Sequence, residues 1–226
     1  MYGNTLIVVP ARGGSKEVPR KNLRLLGGEP LIHYCLKTAL SIDGAITVVS
    51  TENSEIASVA LQLCPNIIMR PESLSEDQST LDEVVVHAVI EAEKKFNKTF
   101  EKIITVQPTS PFISRETIFK AINVLDESDS ALTVSDDRHL RWTEINEVAV
   151  PMFKSRINRQ LMEPCWVETG GIIACQRHVI NSKVRIDGDI ALLKVSGKEG
   201  HDIDTHIDWA LAEALVETPS VAFRVI

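Results

Sequence analysis

Short runs of apolar and β-branched residues recur through the first 135 residues, and polar stretches separate them. The runs lie at 5–9, 45–49, 103–106 and 131–134. Each has the length and composition of a buried strand. Helical patterns fill the intervals between them. The alternation predicts right-handed βαβ units and a three-layer, mainly parallel, Rossmann-like α/β sheet, whose ligands bind beyond the carboxyl ends of its strands.

The clearest helical pattern runs from Leu81 to Phe96, where apolar residues recur three and four positions apart. Such spacing places one apolar stripe against a sheet. Further along, the sequence predicts strands at 171–175 and 189–195 and a final amphipathic helix at 205–216. Because there is no internal repeat or low-complexity linker, we expect the 226 residues to form a single domain.

The alternation lapses between Asp136 and Val167, where the sequence becomes polar and charged. We interpret this stretch, about residues 136–167, as an insertion in the domain. Its Trp142, Met152 and Phe153 are large enough to anchor an interface, but they could equally cover the chain's own core.

Composition restricts the partners that the protein can have. A net charge of −7 is unfavourable for a broad surface that binds nucleic acid or anionic lipid. No apolar stretch approaches the roughly 18 residues of a membrane span, and the start lacks a secretory pattern, so we expect a cytoplasmic protein that contacts no membrane. The four cysteines form no CxxC pair, which favours buried free thiols over a zinc or redox site.

Positive charge is concentrated directly after the first strand. There residues 10–16 read PARGGSK, and further cations follow at Arg20, Lys21 and Arg24. Glycines let backbone amides approach phosphate oxygens, and cations balance the phosphate charge. The loop has neither Walker A nor GxGxxG spacing. It predicts a triphosphate site, although a solvated basic connection would look similar.

A pair of carboxylates, Asp202 and Asp204, flanks Ile203 near the end of the chain. If this stretch is extended, both carboxylates point to one face, where they could share a hydrated Mg²⁺ bound to triphosphate oxygens. Alternatively, Asp204 or Thr205 caps the final helix, and Asp208 interacts favourably with its dipole. The two interpretations are compatible.

Five motifs occur in the order found in one enzyme family. They are VVPARGGSKEVPRKNLRLLGGEPLIHYCL at 8–36, STENSEIA at 50–57, RPESLSED at 70–77, QPTSP at 107–111 and DIDT at 202–205. Together they closely resemble the CMP-sialic acid synthetases, the acylneuraminate cytidylyltransferases, over nearly the whole chain. The resemblance implies an Mg²⁺-dependent enzyme that joins the CMP moiety of CTP to the anomeric hydroxyl of a nine-carbon keto-sugar acid and releases pyrophosphate. It also implies that the 136–167 insertion is a dimerisation element of a homodimer.

The same resemblance assigns residues to the site. The nucleotide side takes Arg12, Gly13, Gly14, Ser15, Lys16, Lys21, Asn22, Arg70 and Thr80. The sugar side takes Gln107, Thr109, Ser110 and Arg159. The candidate catalytic residues are Arg12, Lys21, Asp202 and Asp204, of which the two aspartates are the metal positions. Thr80 could instead cap the helix that follows it, because acidic residues occupy the next turn.

Several residues depart from the family pattern, mostly where the sugar should bind. Phe112 and Ile113 stand where leucine and arginine are usual, and Thr169 replaces an asparagine. An aromatic residue is replaced by Ile173, and Glu17 stands where glycine is common. The acceptor could therefore be a related acid, such as legionaminic, pseudaminic or deaminated neuraminic acid.

Other functions account for part of the sequence. Asp202 and Asp204 could form the DxD motif of a glycosyltransferase that uses a nucleotide sugar, although such an enzyme does not obviously require the phosphate loop. A nucleotide-binding protein without turnover would account for the departures on the sugar side. A cytidylyltransferase for a different acid acceptor is a further alternative. Free pyrophosphate as a product would favour cytidylyltransfer, whereas free nucleoside diphosphate would favour the glycosyltransferase.

Overall fold

A computed structural model describes residues 3–76 and 78–217. Along the described chain the strands are β1 Thr5–Pro10, β2 Leu25–Leu26, β3 Glu29–Pro30, β4 Ile46–Thr51, β5 Ile67–Met69, β6 Lys102–Val106, β7 Ser130–Asp136, β8 Trp142–Ile145, β9 Val148–Pro151, β10 Trp166–Gln176 and β11 Ile190–Lys194. The α-helices are α1 Leu31–Leu40, α2 Ser54–Ala60, α3 Leu81–Phe96, α4 Arg115–Val124, α5 Arg177–Asn181 and α6 His206–Glu217. Short 3₁₀ helices lie at Lys21–Leu23, Glu72–Leu74 and Arg159–Leu161.

Seven of the described strands form one sheet in the order β11-β7-β10-β6-β1-β4-β5. β10 runs antiparallel to β6 and β7, and the remaining neighbours pair in parallel. The predicted mainly parallel α/β sheet is thus confirmed. The sequence pattern did not predict β5, because three residues are too few to show a period.

Helices cover both faces of the sheet. On one face, α1, α2 and α4 bury side chains such as Leu36 and Ile122 against Val49. On the other face, α3 and α5 pack their apolar residues, including Val89, against Val8. Every residue of β1 is buried, which explains why its sequence is a continuous apolar run and does not alternate. The three predicted layers follow from this packing.

The stretch between β7 and β10 contains a hairpin that lies outside the main sheet. Its strands β8 and β9 pair antiparallel, and the turn residues Asn146 and Glu147 have φ of 51° and 63°. Positive φ at both turn positions matches the twist of a two-residue hairpin. The strand expected at 171–175 begins earlier, at Trp166, after a segment that follows the hairpin and contains the 3₁₀ helix Arg159–Leu161.

Among the described residues, no helix is both long enough and apolar enough to cross a membrane. The four cysteines are free thiols, and three of them are buried, whereas Cys165 is exposed.

Candidate active site

A cavity of about 690 Å³ opens at the carboxyl ends of the strands, where β1, β5 and β6 end and α6 begins. This is where ligands collect on such a sheet. Ten residues that the sequence assigned to the site line it, namely Arg12, Ser15, Lys16, Lys21, Asn22, Arg70, Gln107, Thr109, Asp202 and Asp204. The cavity therefore brings the basic loop and the acidic pair together.

The loop after β1 is held by its own chain. The amide of Ala11 donates to the carbonyl of Ser50 at 2.9 Å, which continues the pairing of β1 with β4. The side-chain amide of Asn22 donates to the carbonyl of Arg12 at 2.9 Å. Asn22 is buried, so it fixes the loop's backbone while one of its edges reaches the cavity.

The two glycines of the loop do not line this cavity. The Gly13 amide donates to Oε1 of Glu52 at 2.6 Å, so it is bonded within the protein. A Cβ at Gly13 would lie 2.5 Å from Nδ2 of Asn53, whereas a Cβ at Gly14 would meet nothing within 4 Å. Gly13 therefore shapes the loop, and its contact with the nucleotide stays a prediction.

Arg70 enters the cavity from the end of β5 as a buried cation. Its Nη2 lies 2.8 Å from Oε2 of Glu52. Burial would raise the pKa of Glu52, but the amide of Gly13, with help from Ser75 and the charge of Arg70, outweighs burial and lowers the pKa. Burial also lowers the pKa of Arg70, and the Glu52 carboxylate opposes that decrease. The lowered pKa of Glu52 favours its ionised carboxylate, which faces the Arg70 guanidinium.

The acidic pair is anchored to the loop that follows β6. The amide of Ile203 donates to the carbonyl of Thr109 at 2.8 Å, and Ser110 Oγ donates to Oδ1 of Asp202 at 3.4 Å. Ile203 is fully buried in an apolar cluster with Trp209 of α6. The alternation of buried Ile203 with its two neighbours leaves both carboxylates on the cavity side, as the extended-chain argument predicts.

Lys21 connects the basic loop to this acidic segment. Its Nζ donates to the carbonyl of Ile203 at 2.5 Å and lies 3.2 Å from Oδ1 of Asp204. The Lys21 side chain is 12% exposed and that of Asp204 is 73% exposed. One cation therefore sets the distance between the two halves of the cavity.

Capping of α6 is performed by other residues than the acidic pair. Oδ2 of Asp208 accepts the amide of Thr205 at 2.7 Å and that of Asp204 at 3.1 Å. The amide of Asp208 donates to Thr205 Oγ1 at 3.3 Å, which completes a reciprocal cap. The carboxylate of Asp204 remains directed to the cavity, so the observed cap is compatible with the predicted metal position.

Asp202 is the less exposed member of the pair. Burial raises its pKa, and the nearby Asp204 carboxylate adds to the rise. Hydrogen bonds from Thr109 and Ser110 oppose it, as does the positive charge of Lys21. Among the described residues, no three His, Cys, Asp or Glu side chains form a metal-binding group, so the pair is a two-carboxylate donor set.

The side of the cavity assigned to the sugar is built around Gln107. Its Nε2 donates to the carbonyl of Gly170 at 2.5 Å, so its amide oxygen remains for a ligand. Ser110 is fully buried and does not line the cavity, and its hydroxyl holds Asp202 in place. Thr169 is also buried and donates to Thr133 Oγ1 at 2.8 Å, beside an irregularity in β10.

Two other assigned residues lie elsewhere. Thr80 caps α3 through a capping box with Glu83, and its side chain is not among those that line the cavity. Its neighbour Ser79 lines the cavity instead. Arg159 lies in an exposed 3₁₀ helix and does not line the cavity of its own chain.

The sequence reasoning missed several residues of the cavity wall. They are Leu74, Ser75, Glu76, Ser79, Leu81, Val84 and Pro108, together with Pro10, Glu17 and Val18. Four of them follow Arg70 in or just after the RPESLSED motif. The motif indicated this part of the cavity wall, but a role was predicted only for its first residue, Arg70.

The chain is similar in sequence to known cytidylyltransferases. The model of the family described as Cytidylyltransferase matches residues 6–195. The CMP-N,N'-diacetyllegionaminic acid synthase of Legionella pneumophila subsp. pneumophila is 35% identical, with 94% of this chain and 96% of that protein covered. The N-acylneuraminate cytidylyltransferase A of Danio rerio is 28% identical over 92% of this chain, which spans half of that longer protein.

A solved structure, CMP:2-keto-3-deoxy-manno-octonic acid synthetase complexed with CTP, shares the fold with a TM-score of 0.72 and 18% identity, covering 94% of this chain and 98% of the other. The fold and the match to the family model point to the same family. The chain belongs to the cytidylyltransferase family.

Proposed function

We propose that this protein transfers the CMP group of CTP to the anomeric hydroxyl of a nonulosonic, sialic-acid-like sugar acid and releases pyrophosphate. The observation that carries the proposal is the joining of a basic loop and an acidic pair in one cavity through Lys21. The names of two relatives, a legionaminic acid synthase and an acylneuraminate cytidylyltransferase, support the acceptor class.

The basic side of the cavity suits a triphosphate. Arg12, Lys16, Lys21 and Arg70 line it, although the whole chain has a net charge of −7. Positive charge confined to one cavity attracts an anionic ligand without making the surface generally basic. These cations would hold the triphosphate and stabilise the charge that develops on the leaving pyrophosphate.

The acidic pair fits an Mg²⁺ ion, which we propose as the cofactor. Mg²⁺ is typically held by one or two carboxylates together with phosphate oxygens and water, and Asp202 and Asp204 supply that number of donors. When bound, the ion would neutralise phosphate charge during transfer. Lys21 and the hydrogen bond from Ser110 keep the two carboxylates in position, and the repulsion between them would be relieved by a cation.

The acceptor would bind beside Gln107 and Thr109, which line the cavity next to Asp202. A sugar acid offers hydroxyl groups that such polar side chains can recognise by hydrogen bonds. The hydroxyl oxygen would form a bond to the α-phosphorus of CTP while the bond to pyrophosphate breaks. Since the relative that is 35% identical is named for a diacetyllegionaminic acid, we expect acids of that type to be used best.

The test is pyrophosphate release with each of four nucleoside triphosphates and a panel of nonulosonic acids, in the presence of Mg²⁺. We expect turnover with CTP and at least one of these acids, and no turnover when Mg²⁺ is chelated. A lack of turnover with every acid would contradict the proposal. Release of nucleoside diphosphate from a nucleotide sugar would support the DxD glycosyltransferase instead.

Thr80 offers a test of how the nucleotide side is assigned. Thr80→Ala removes the capping box, which should lower the free energy of unfolding by about 1 kcal/mol and Tm by about 2–4 °C. Because Thr80 does not line the cavity, the KM for CTP should change by less than about twofold. A large rise in KM without a loss of stability would restore Thr80 as a contact to the base.

We further propose that the protein is a homodimer joined through the hairpin formed by β8 and β9. Trp142 is 52% exposed, and Ile145, Val148 and Met152 are more exposed still. Exposed apolar side chains that lie this close together are typical of interaction surfaces. Arg159 follows the same hairpin, so a role near the sugar acid would require it to reach the cavity of a second copy.

Light scattering coupled to size-exclusion chromatography should give the mass of a dimer for the unmodified protein. Trp142→Glu should shift it to the monomer, because an interface cannot bury the new charge. Ile207→Glu is the control, since Ile207 is also exposed and apolar but belongs to α6 and not to the hairpin. A monomeric unmodified protein, or a dimer that tolerates Trp142→Glu, would contradict the proposed interface.

A further inference from the structure

One carboxylate, that of Glu52, contacts two different parts of the nucleotide side at once. Glu52 directly follows β4. Its Oε1 accepts the Gly13 amide at 2.6 Å, and its Oε2 accepts a hydrogen bond from Arg70 Nη2 at 2.8 Å. Its two oxygens therefore join the loop after β1 to the end of β5.

Arg70 extends this connection to the far wall of the cavity. Its Nε donates to Ser75 Oγ at 2.9 Å, and its Nη1 lies 3.5 Å from the carbonyl of Ser50. Ser75 lies in the segment after the 3₁₀ helix Glu72–Leu74, and it lines the cavity. Glu52 is not among the cavity-lining residues of the described chain, so it acts through the groups that it holds.

The ion pair between Glu52 and Arg70 is largely buried, so each charge depends on the other for compensation. The side chain of Arg70 is 3% exposed and that of Glu52 is 15% exposed. A buried cation without a partner is costly, and Arg12 adds a second positive charge nearby. Without the Glu52 carboxylate, Arg70 would be driven towards solvent and the Gly13 amide would lose its acceptor.

We propose that Glu52 is a positioning residue for nucleotide binding, which fixes the phosphate loop at Gly13 and the guanidinium of Arg70 relative to each other before the nucleotide enters. Such preorganisation lowers the free-energy cost of binding, because neither group has to be ordered by the ligand. The role assigned to the ligand rests on the function proposed above, whereas the link between Glu52, Gly13 and Arg70 does not.

Glu52→Gln is the principal variant, because it keeps the size of the side chain and removes its charge. We expect the KM for CTP and the Kd measured by calorimetry to rise by about tenfold or more, in line with the loss of a buried charge pair. The kcat at saturating CTP should fall much less. Glu55→Gln is the matched control, since Glu55 is exposed, lies three positions away and pairs with Arg20 at the surface.

A second measurement needs no nucleotide. Hydrogen exchange of the Gly13 amide, followed by NMR, should be slow in the unmodified protein and in Glu55→Gln, and at least about tenfold faster in Glu52→Ala, because truncation of the side chain removes the acceptor of that amide. If Glu52→Gln does not fold, Glu52→Asp serves instead. This shorter carboxylate keeps the charge but cannot span both partners, so it should give a smaller rise in the KM for CTP.

The outcomes separate the two proposals. An unmodified protein that binds no CTP would refute the proposed function, and amide exchange would still decide whether Glu52 holds Gly13. If the unmodified protein binds CTP, a folded Glu52→Gln variant whose Kd for CTP lies within twofold of the unmodified value would overturn the positioning role. Unchanged exchange of the Gly13 amide in Glu52→Ala would also overturn it.

Discussion

Replacement of Asp204 by Asn should lower kcat by about 10² or more while the fold stays intact, as is typical when a charge-stabilising group is lost from a transfer reaction. The side chain of Asp204 is 73% exposed at the mouth of the cavity, so the substitution disturbs little packing. Its charge matters because the carboxylate contacts Lys21, one of the cations proposed to hold the triphosphate. Turnover at saturating CTP, acceptor and Mg²⁺ measures the loss.

Asp208→Asn provides the control for this prediction. Asp208 is four positions away and caps α6 through the amides of Asp204 and Thr205. Its loss should lower Tm by a few degrees, because a cap contributes about 1 kcal/mol, and change turnover by only a few-fold. Near-normal turnover of Asp204→Asn at saturating Mg²⁺ would remove Asp204 from the catalytic residues.

The fold could be predicted well from the sequence because burial dominates the strand pattern. In β1 both faces are covered by helices, so the apolar run is continuous and its boundaries are clear. The antiparallel direction of β10 could not be predicted, because direction depends on the path of the chain through the preceding hairpin. Residue composition carries no record of that path.

The site was predictable where one stretch of sequence carries its chemistry. The basic loop and the acidic pair each lie within a few residues, and the sheet brings both to its carboxyl edge. The role of Glu52 was not predictable, since it arises from the register of β1 with β4, which pairs Pro10 with Ser50 and so places Glu52 beside Gly13.

Thr80 illustrates a competition between two uses of one side chain. The family resemblance favoured a contact to the base, whereas local spacing favoured a capping box with Glu83. In the structure the local hydrogen bonds determine the orientation of the side chain, and Ser79 faces the cavity. The capping that local spacing predicts is confirmed, and the contact of Thr80 with the base stays a prediction.

Gly13→Ala should weaken CTP binding by about tenfold or more and also destabilise the protein. The added Cβ would lie 2.5 Å from Nδ2 of Asn53 and 3.2 Å from its Cβ. Asn53 cannot easily retreat, because its Oδ1 accepts the amides of Glu55 and Ile56 at 2.9 and 3.0 Å as the cap of α2. The loop must move instead, and overpacking of this kind typically costs about 1–3 kcal/mol.

Gly14→Ala distinguishes strain within the protein from a clash with the ligand. A Cβ at Gly14 meets no protein atom within 4 Å, so Tm should stay within about 1 °C of the unmodified value, whereas Gly13→Ala should lower it by several degrees. Thermal unfolding without nucleotide and calorimetric titration with CTP measure the two effects separately. An equal Tm for both variants would show that Asn53 yields to the new methyl group and that the packing of the loop against α2 tolerates it. A loss of CTP binding in Gly13→Ala would then have to arise from a clash with the bound nucleotide.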